Sequence, residues 1–328
     1  MPKPLVSILM AVYNAGAYLR PSLLSILSQT YINLEILLIN DGSTDGCMDS
    51  ISDINDSRIR VITQQNSGKP AALNRALEVL SGEFYAIHDA DDISYPQRIE
   101  LQVRCMLENP TVAAVFTGYD LIIDGQNLAP VFTCKTIEQC RDDVERFQMP
   151  SHDPTGMYRV SMVRDVYYDP TLKVGEGLDY ILRVGERQPM MVLGQCLYSY
   201  RFHIGSLSRQ NAVGRNAMVR QVIMRACERR GCDFSEQFFA APSANGAFSH
   251  MAQENNIVAH FMGSVLGLRG AGRSKEAFQT ALACARRHPF DPYYYKPLVY
   301  TIVPLPVISF YRGVKNRFSI TLKVSPAV

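Results

Sequence analysis

The first third of the chain alternates buried-type strands with amphipathic helices, and this alternation limits the fold more than any other feature. Nearly continuous apolar runs predict strands at residues 5–12, 34–39, 58–63, 84–88 and 112–116. Apolar residues at helical spacing predict helices between them, at residues 17–28, 73–80 and 96–109. Such a β-α-β order is typical of an α/β domain with a parallel sheet and helices on both faces.

Polar loops follow three of these predicted strands. They are Tyr13-Asn14, the run from Asn40 to Asp45, and the run from His88 to Asp92. The carboxyl ends of parallel strands meet at one edge of a sheet, where ligands bind in α/β folds. No Gly-x-Gly-x-x-Gly turn and no phosphate-binding P-loop motif occurs, which disfavours a nicotinamide-dependent Rossmann enzyme and a P-loop nucleotide hydrolase.

The stretch SGEFYAIHDADDISYPQR places clustered carboxylates directly after an apolar strand. Asp89 and Asp91 would repel each other unless a cation lay between them. Hard divalent ions take oxygen ligands and share them with phosphates. The pattern therefore predicts a metal–nucleotide site, and the structural alternative is an acidic turn that closes the strand.

Composition limits the classes of protein to which the chain can belong. The 328 residues are 47% hydrophobic and 20% charged, as expected for a large globular domain with an appendage. The eight cysteines form no Cys-x-x-Cys pair, so free thiols in a reducing cytoplasm are expected. The segment MPKPLVSILMAVYN lacks the features of a signal peptide and is interpreted as the first strand.

Charge divides the chain into an acidic part, residues 1–210, and a basic part, residues 211–328. The first carries 18 basic and 25 acidic residues and the second 15 and 6, giving net charges of −7 and +9. The basic part is predicted to be helical, at residues 212–230, at 257–268 and after Ser274 as N-cap. Its charge suits an anionic membrane or a nucleic acid, or only solvates helix surfaces.

Residues 298–311 of the basic part are strongly apolar but interrupted by Pro304 and Pro306. The segment is too short and too broken to span a bilayer, which takes about 20 residues. Two interpretations stay open. The segment lies on an anionic membrane surface, or it packs against the N-terminal domain.

Four motifs, in order and spacing, resemble a family 2 glycosyltransferase with the GT-A fold: VSILMAVYN, INDGSTDG, NSGKPAALNRAL and GEFYAIHDADD. The resemblance covers about residues 4–210. It implies a Rossmann-like, mostly parallel sheet flanked by helices, with a helical C-terminal appendage. Members of the family transfer a sugar from a nucleotide-diphosphate sugar, usually with Mn²⁺ or Mg²⁺.

The resemblance also implies roles for individual residues of the donor site. It assigns nucleotide contacts to Ala11, Tyr13, Asp41, Lys69 and Asp89. The metal ligands would be Asp91 and His203, the latter within a Tyr-Arg-x-His-like segment, and the imidazole favours Mn²⁺ over Mg²⁺. The structural alternatives are a packed Tyr13, an Asp41 that only caps a turn, and a solvated Lys69.

The acceptor side departs from the family pattern. His152 is the candidate for acceptor contact, and the alternative is a histidine satisfied within a turn. Family members usually place a Glu-Asp pair, whose Asp is the general base, where this chain has Glu176-Gly177. Three readings stay open: Glu176 serves as the base, Asp179 takes over, or the protein is a weak or degenerate transferase.

The expected function is an inverting, metal-dependent transferase. It would move one sugar, from a UDP-sugar as first choice, to a hydroxyl of a glycan or lipid-linked acceptor in cell-surface polysaccharide synthesis. Processive synthases carry a Trp-containing motif, and this chain has no Trp. The protein is expected in the cytoplasm or at the inner face of the membrane, and no nucleic acid is expected as a partner.

Two rival functions use the same fold features. One is a non-catalytic nucleotide-sugar-binding protein, for which Gly177 is the main support. The other is a metal-dependent nucleotidyltransferase, which would also use carboxylates and a diphosphate site. A nucleotidyltransferase releases pyrophosphate, whereas a glycosyltransferase releases a nucleoside diphosphate.

Overall fold

The structure is a computed structural model that describes residues 3–123, 126–128, 134–202, 212–235, 257–270, 272–304 and 307. Contacts divide the chain into two compact units. The first comprises residues 1–127 and 132–255, and the second comprises residues 128–131 and 256–328.

Four parallel strands form one half of the sheet in the first unit. They are β1 (Val6–Val12), β2 (Leu34–Asn40), β3 (Ile59–Thr63) and β4 (Phe84–Ile87), arranged in the order β3-β2-β1-β4. Both faces of β1, β2 and β4 are covered, which explains why their sequences are apolar without alternation. The predicted strands of this half are confirmed to within one or two residues.

Three helices cover these strands. They are α1 (Leu19–Leu27), α2 (Lys69–Val79) and α3 (Arg98–Glu108). Gly68, at a φ of 88°, precedes α2 and turns the chain into it. Helix α2 therefore begins with Lys69 beside the carboxyl ends of the strands.

The other half of the sheet is mixed. It contains β5 (Ile93–Ser94), β6 (Ala114–Ile123), β7 (Gln126–Leu128), β8 (Met157–Arg159) and β9 (Met190–Phe202). The order continues β4-β8-β6-β9-β5, and β7 pairs with β6. Strand β8 runs antiparallel to both β4 and β6, so the sheet is mostly but not entirely parallel.

The remaining helices of the first unit are α4 (Ile137–Glu145), α5 (Val160–Val163), α6 (Glu176–Gly185) and α7 (Ala212–Arg230). Buried side chains of α7, including Val222 and Ala226, belong to the same core cluster as Ile181 of α6. The sequence-based boundary at residue 210 assigns α7 to the C-terminal region, whereas the contacts place it in the first unit.

The core lies in two layers, one on each face of the sheet. Leu9, Leu37 and Ile87 point to one layer. Ile8, Leu38 and Ala86 point to the other. This period of two follows from the pleat of a strand, and each fully buried large apolar side chain stabilises the fold by about 1.5–3 kcal/mol.

The second unit consists of α8 (Ile257–Gly270), α9 (Ser274–Arg287) and α10 (Lys296–Ile302). Helices α8 and α9 bury a small cluster that includes Val265 and Ala281. The prediction of Ser274 as N-cap was wrong by one residue, since Arg273 takes that position. No helix within the described residues has the length and apolar character needed to cross a membrane.

Candidate active site

Hydrogen bonds join the loop after β1 to the loop after β2. The Asn14 backbone N–H donates to Ser43 Oγ over 3.1 Å, and the Thr44 N–H donates to Asn14 Oδ1 over 2.8 Å. Asn14 has a φ of 49°, in the left-handed region that asparagine tolerates. Two strand ends are thereby held together at the carboxyl edge of the sheet.

Tyr13 and Ala11 lie at this edge. Tyr13 is 51% exposed, so it is not the packed aromatic of the structural alternative. Ala11 is partly buried and pairs with Ile39 across β1 and β2. An open tyrosine face beside a small residue leaves room for a planar ring to stack.

Asp41 is buried and organises the loop that leads into α2. Its Oδ1 accepts hydrogen bonds from Gln64 Nε2 at 2.8 Å and from the Ser67 N–H at 2.9 Å. Its Oδ2 accepts one from the Gly68 N–H at 2.8 Å. The carboxylate therefore fixes the residue that precedes Lys69. Its predicted contact with a nucleobase stays a prediction.

Lys69 lies among carboxylates. Its Nζ is 2.6 Å from Asp89 Oδ1 and 3.9 Å from Glu176 Oε1. Burial opposes its charge, but Asp89, Glu176 and Asp153 outweigh that effect and raise the pKa of Lys69 above its usual value. Lys69 is thus held by ion pairs at the edge of the sheet, and it is not the solvated loop lysine of the structural alternative.

Three carboxylates form an acidic cluster after β4. Oxygen atoms of Asp89, Asp91 and Asp92 lie within 4.8 Å of one another. Asp92 is buried, and burial together with Asp91 and Asp89 raises its pKa well above the usual range. Three carboxylates offering oxygen atoms at one point suit a hard divalent cation such as Mg²⁺ or Mn²⁺.

Asp92 ties the end of β9 to this acidic cluster. Its Oδ2 accepts a hydrogen bond from the Tyr198 hydroxyl at 2.7 Å, and its Oδ1 accepts one from the Arg201 N–H at 2.8 Å. Arg201 Nε also donates to the backbone oxygen of Asp91 over 2.8 Å. His203, the second predicted metal ligand, lies outside the described residues.

Buried polar side chains lie next to the acidic cluster at the end of β4. His88 Nε2 is 2.9 Å from Ser22 Oγ, and its Nδ1 is 3.0 Å from Ser94 Oγ. Burial and the nearby Arg98 charge hold the pKa of His88 well below its usual value. The Arg98 guanidinium lies 4.8 Å from the centre of the Tyr198 ring. The neutral His88 imidazole and the buried Arg98 guanidinium therefore stabilise the end of β4.

His152, the candidate for acceptor contact, is half-buried. Its ring centre lies 4.8 Å from that of Tyr200 and 5.4 Å from that of Tyr119. Burial lowers the pKa of His152 to about 4, so its imidazole is neutral near pH 7. Its Nε2 is buried and has no hydrogen-bond partner in the described part of the chain.

The two candidate bases have different surroundings. Glu176 begins α6 and faces Lys69, and burial raises its pKa although Lys69 opposes this. Asp179 is buried, accepts a hydrogen bond from Arg183 Nε at 2.8 Å and lies 3.8 Å from Arg229. The Asp179 carboxylate is thus engaged by arginines of α6 and α7, which suits a structural role.

Asp153 belongs to the site although the sequence does not single it out. It is 4% exposed, and its carboxylate accepts hydrogen bonds from the hydroxyls of Tyr158 at 3.2 Å and Tyr168 at 3.4 Å. Burial raises its pKa to about 7, with Lys69 opposing and Glu176 adding to the effect. The sequence around Asp153 has no helical or strand periodicity from which its role could be predicted. The available signal is a carboxylate next to the candidate His152.

The chain is similar to known glycosyltransferases. The model of the family "Glycosyl transferase family 2" matches residues 7–164. An uncharacterized glycosyltransferase of Haemophilus influenzae is 38% identical over 42% of this chain and 56% of its own length. The UDP-Glc:alpha-D-GlcNAc-diphosphoundecaprenol beta-1,3-glucosyltransferase WfgD of Escherichia coli is 37% identical over 38% of this chain and 51% of its own length.

Solved structures share the fold. A fragment of S. aureus TarS in complex with UDP-GlcNAc has a TM-score of 0.56 at 16% identity, covering 88% of this chain and 89% of that one. The mannosyltransferase PcManGT of Pyrobaculum calidifontis, in complex with GDP-Man and Mn²⁺, has a TM-score of 0.54 at 18% identity, covering 92% and 85%. The GT-A fold is confirmed, and residues 7–164 of the chain match glycosyltransferase family 2.

Proposed function

We propose that the protein is an inverting, metal-dependent glycosyltransferase. It moves one sugar from a nucleoside-diphosphate sugar to an acceptor hydroxyl. The observation that carries the proposal is the meeting of Lys69, the acidic cluster and Glu176 at the carboxyl edge of the sheet. This edge offers one cation and several carboxylates to a ligand that combines phosphates with hydroxyls.

The donor nucleotide occupies the edge formed by β1, β2 and β4. Tyr13 stacks against the base and Ala11 leaves room for it. Asp41 keeps the loop before α2 in place and accepts from the base edge. Lys69 exchanges its partner Asp89 for the diphosphate, which frees Asp89 to contact the ribose.

The acidic cluster would hold the divalent cation, with Asp91 as its ligand from the loop after β4 and His203 as the predicted second protein ligand. Mn²⁺ is the first choice and Mg²⁺ the second. When bound, the cation would neutralise charge on the departing diphosphate. The chain itself contributes the Lys69 ammonium, aimed at the same phosphates, and a preorganised cation of this kind stabilises a leaving group as its charge grows.

The acceptor binds on the side formed by His152 and α6. A carboxylate there takes the proton of the acceptor hydroxyl, whose oxygen attacks the anomeric carbon opposite the diphosphate and inverts its configuration. WfgD acts on a diphosphoundecaprenol-linked sugar, as its name states, which supports a UDP-sugar donor and a lipid-linked acceptor for this chain too. Cell-surface polysaccharide synthesis is the setting we propose.

Exposed side chains of the second unit support binding of the protein to a membrane surface. Phe290 and Ile302 are 100% and 80% exposed, and Lys296 lies in the same stretch. Exposed apolar side chains beside basic ones bind anionic bilayers. We therefore place the protein at the inner face of the membrane. Sedimentation with phosphatidylglycerol vesicles tests this, and Phe290→Ser with Ile302→Ser should at least halve the bound fraction.

A nucleotide-release assay tests the enzyme proposal. The protein is incubated with UDP-, GDP- and TDP-sugars in Mn²⁺ or in EDTA, and freed nucleoside diphosphate is measured. Slow Mn²⁺-dependent release from one donor, abolished in Asp91→Ala, is the expected result. Release of pyrophosphate would instead support a nucleotidyltransferase, and tight donor binding without turnover would support a non-catalytic binding protein.

A further inference from the structure

Gly177 has no room for a side chain. A Cβ placed on it would lie 2.7 Å from Asp153 Cβ and 2.9 Å from both Asp153 Cγ and Oδ2. Real Cβ atoms essentially never come this close to other atoms. The Asp153 side chain thus fills the space into which a side chain at position 177 would extend.

The arrangement brings a carboxylate from the loop before β8 to the first turn of α6. Position 177 is where a base is expected from the family resemblance, and this chain has only a hydrogen atom there. The positions of Gly177 and Asp153 therefore depend on each other. The Asp153 side chain can occupy its place only because residue 177 has no side chain.

Stacked aromatic rings hold the Asp153 carboxylate in place. The hydroxyls of Tyr158 and Tyr168 donate to it. Tyr158 stacks on Tyr85 with ring centres 5.0 Å apart, and Tyr168 stacks on Tyr180 at 4.1 Å. Side chains locked by packing in this way keep a catalytic group in one orientation.

Three charged side chains interact with Asp153, one from α2, one from α6 and one from the acidic cluster. Lys69 at the start of α2 attracts its carboxylate, whereas Glu176 at the start of α6 and Asp89 after β4 repel it. Asp153 therefore interacts electrostatically with Lys69 and Asp89, which we assign to the donor, and with Glu176. Lys69 also lies 3.9 Å from Glu176 and lowers the pKa of that carboxyl, although burial raises it.

We infer that Asp153 is the general base of the transfer reaction, occupying from the loop before β8 the place that Gly177 leaves open on α6. The inference rests on the proposed function. The Asp153 carboxylate takes the proton from the acceptor hydroxyl while the hydroxyl oxygen forms a bond to the anomeric carbon. The bond from that carbon to the diphosphate oxygen breaks, and its electron pair leaves with the nucleoside diphosphate.

The experiment compares three charge-removing variants with wild type. Asp153→Asn tests the base, and Glu176→Gln tests its rival. Asp165→Asn is the matched control, since Asp165 pairs with Arg187 on the surface and its side chain is 72% exposed. Turnover is measured as nucleoside diphosphate released from UDP-glucose, UDP-GlcNAc or GDP-mannose with Mn²⁺, and affinity for the free nucleotide is measured by calorimetry.

The expected result is a fall in kcat of about 100-fold or more in Asp153→Asn, the usual effect of removing a general base. Nucleotide affinity should stay within about threefold, and Asp165→Asn should match wild type. Exchanging the residues, in Asp153→Gly with Gly177→Asp, should recover at least tenfold over Asp153→Gly alone.

Two outcomes would overturn the inference while leaving the proposed function intact. One is a working wild type with equal turnover in Asp153→Asn. The other is a loss confined to Glu176→Gln, which would make Glu176 the base. A wild type that binds no nucleotide and releases none from any donor would instead refute the proposed function, and this inference with it.

Discussion

The donor side and the acceptor side of the site are built differently. Donor residues stand at the ends of β1, β2 and β4, three neighbouring parallel strands, so the sheet topology alone brings them together. On the acceptor side, Asp153 meets Gly177 through a contact between chain segments that no repeat or strand register relates. The first arrangement is set by topology and the second by packing.

This difference has a physical consequence. A topological site tolerates changes in its side chains, because the strands keep their ends aligned whichever residues they carry. A packed site depends on matched volumes and charges, so a single change in one partner disturbs the other. Three variants test that distinction.

The largest effect is expected from Gly177→Asp. Its new side chain would overlap Asp153, whose Cβ is 2.7 Å from the built position, and would place a second carboxylate there. We expect a loss of about 3 kcal/mol in the free energy of unfolding, measured by urea denaturation. Adding Asp153→Gly should restore most of it, and additive losses in the double variant would contradict direct packing between the two positions.

A smaller effect, on catalysis rather than folding, is expected from Lys69→Met. Removing a cation that faces the leaving diphosphate should lower kcat/KM by about 100-fold, or about 2.7 kcal/mol. Arg75→Met is the matched control, since Arg75 pairs on the surface with Glu78 of the same helix. Equal kcat/KM in both variants would show that Lys69 serves only to neutralise Asp89.

The smallest effect concerns the pH dependence of stability. The folded-state pKa of Asp153 is raised by burial to about 7, so its ionisation in the folded protein costs stability as pH rises from the unfolded pKa of about 4 through 7. By urea denaturation we expect Asp153→Asn to have a larger free energy of unfolding than wild type at pH 8, and about the same free energy of unfolding as wild type at pH 4. A variant that is less stable at both pH values would mean that the ionised carboxylate stabilises the fold.

Prediction from sequence follows the same division. The strands and their polar ends were predictable because a buried parallel strand needs a continuous apolar run and its ligand loops follow directly. Asp153 was not, because its importance depends on a glycine 24 positions away in the chain. Asp92 and Arg201 are similar, since their mutual hydrogen bond has no signature in either segment.

Lys69 illustrates an intermediate case. Its loop and its proposed role at the phosphates follow from the motif, but its ion pairs with Asp89 and Glu176 do not. The fixed position comes from Asp41, which binds the backbone of the preceding residues and so sets where α2 begins. A polar residue at one strand end thereby positions the cation of the neighbouring loop.

The most direct test of the account is a calorimetric titration of UDP and GDP into the protein with Mn²⁺, repeated in EDTA and with Asp91→Asn. We predict saturable binding of at least one nucleotide to wild type, weakened about tenfold or more both by EDTA and by the substitution. Binding of equal strength in all three conditions would contradict a metal-dependent donor site at the acidic cluster, and no binding under any condition would contradict the donor site altogether.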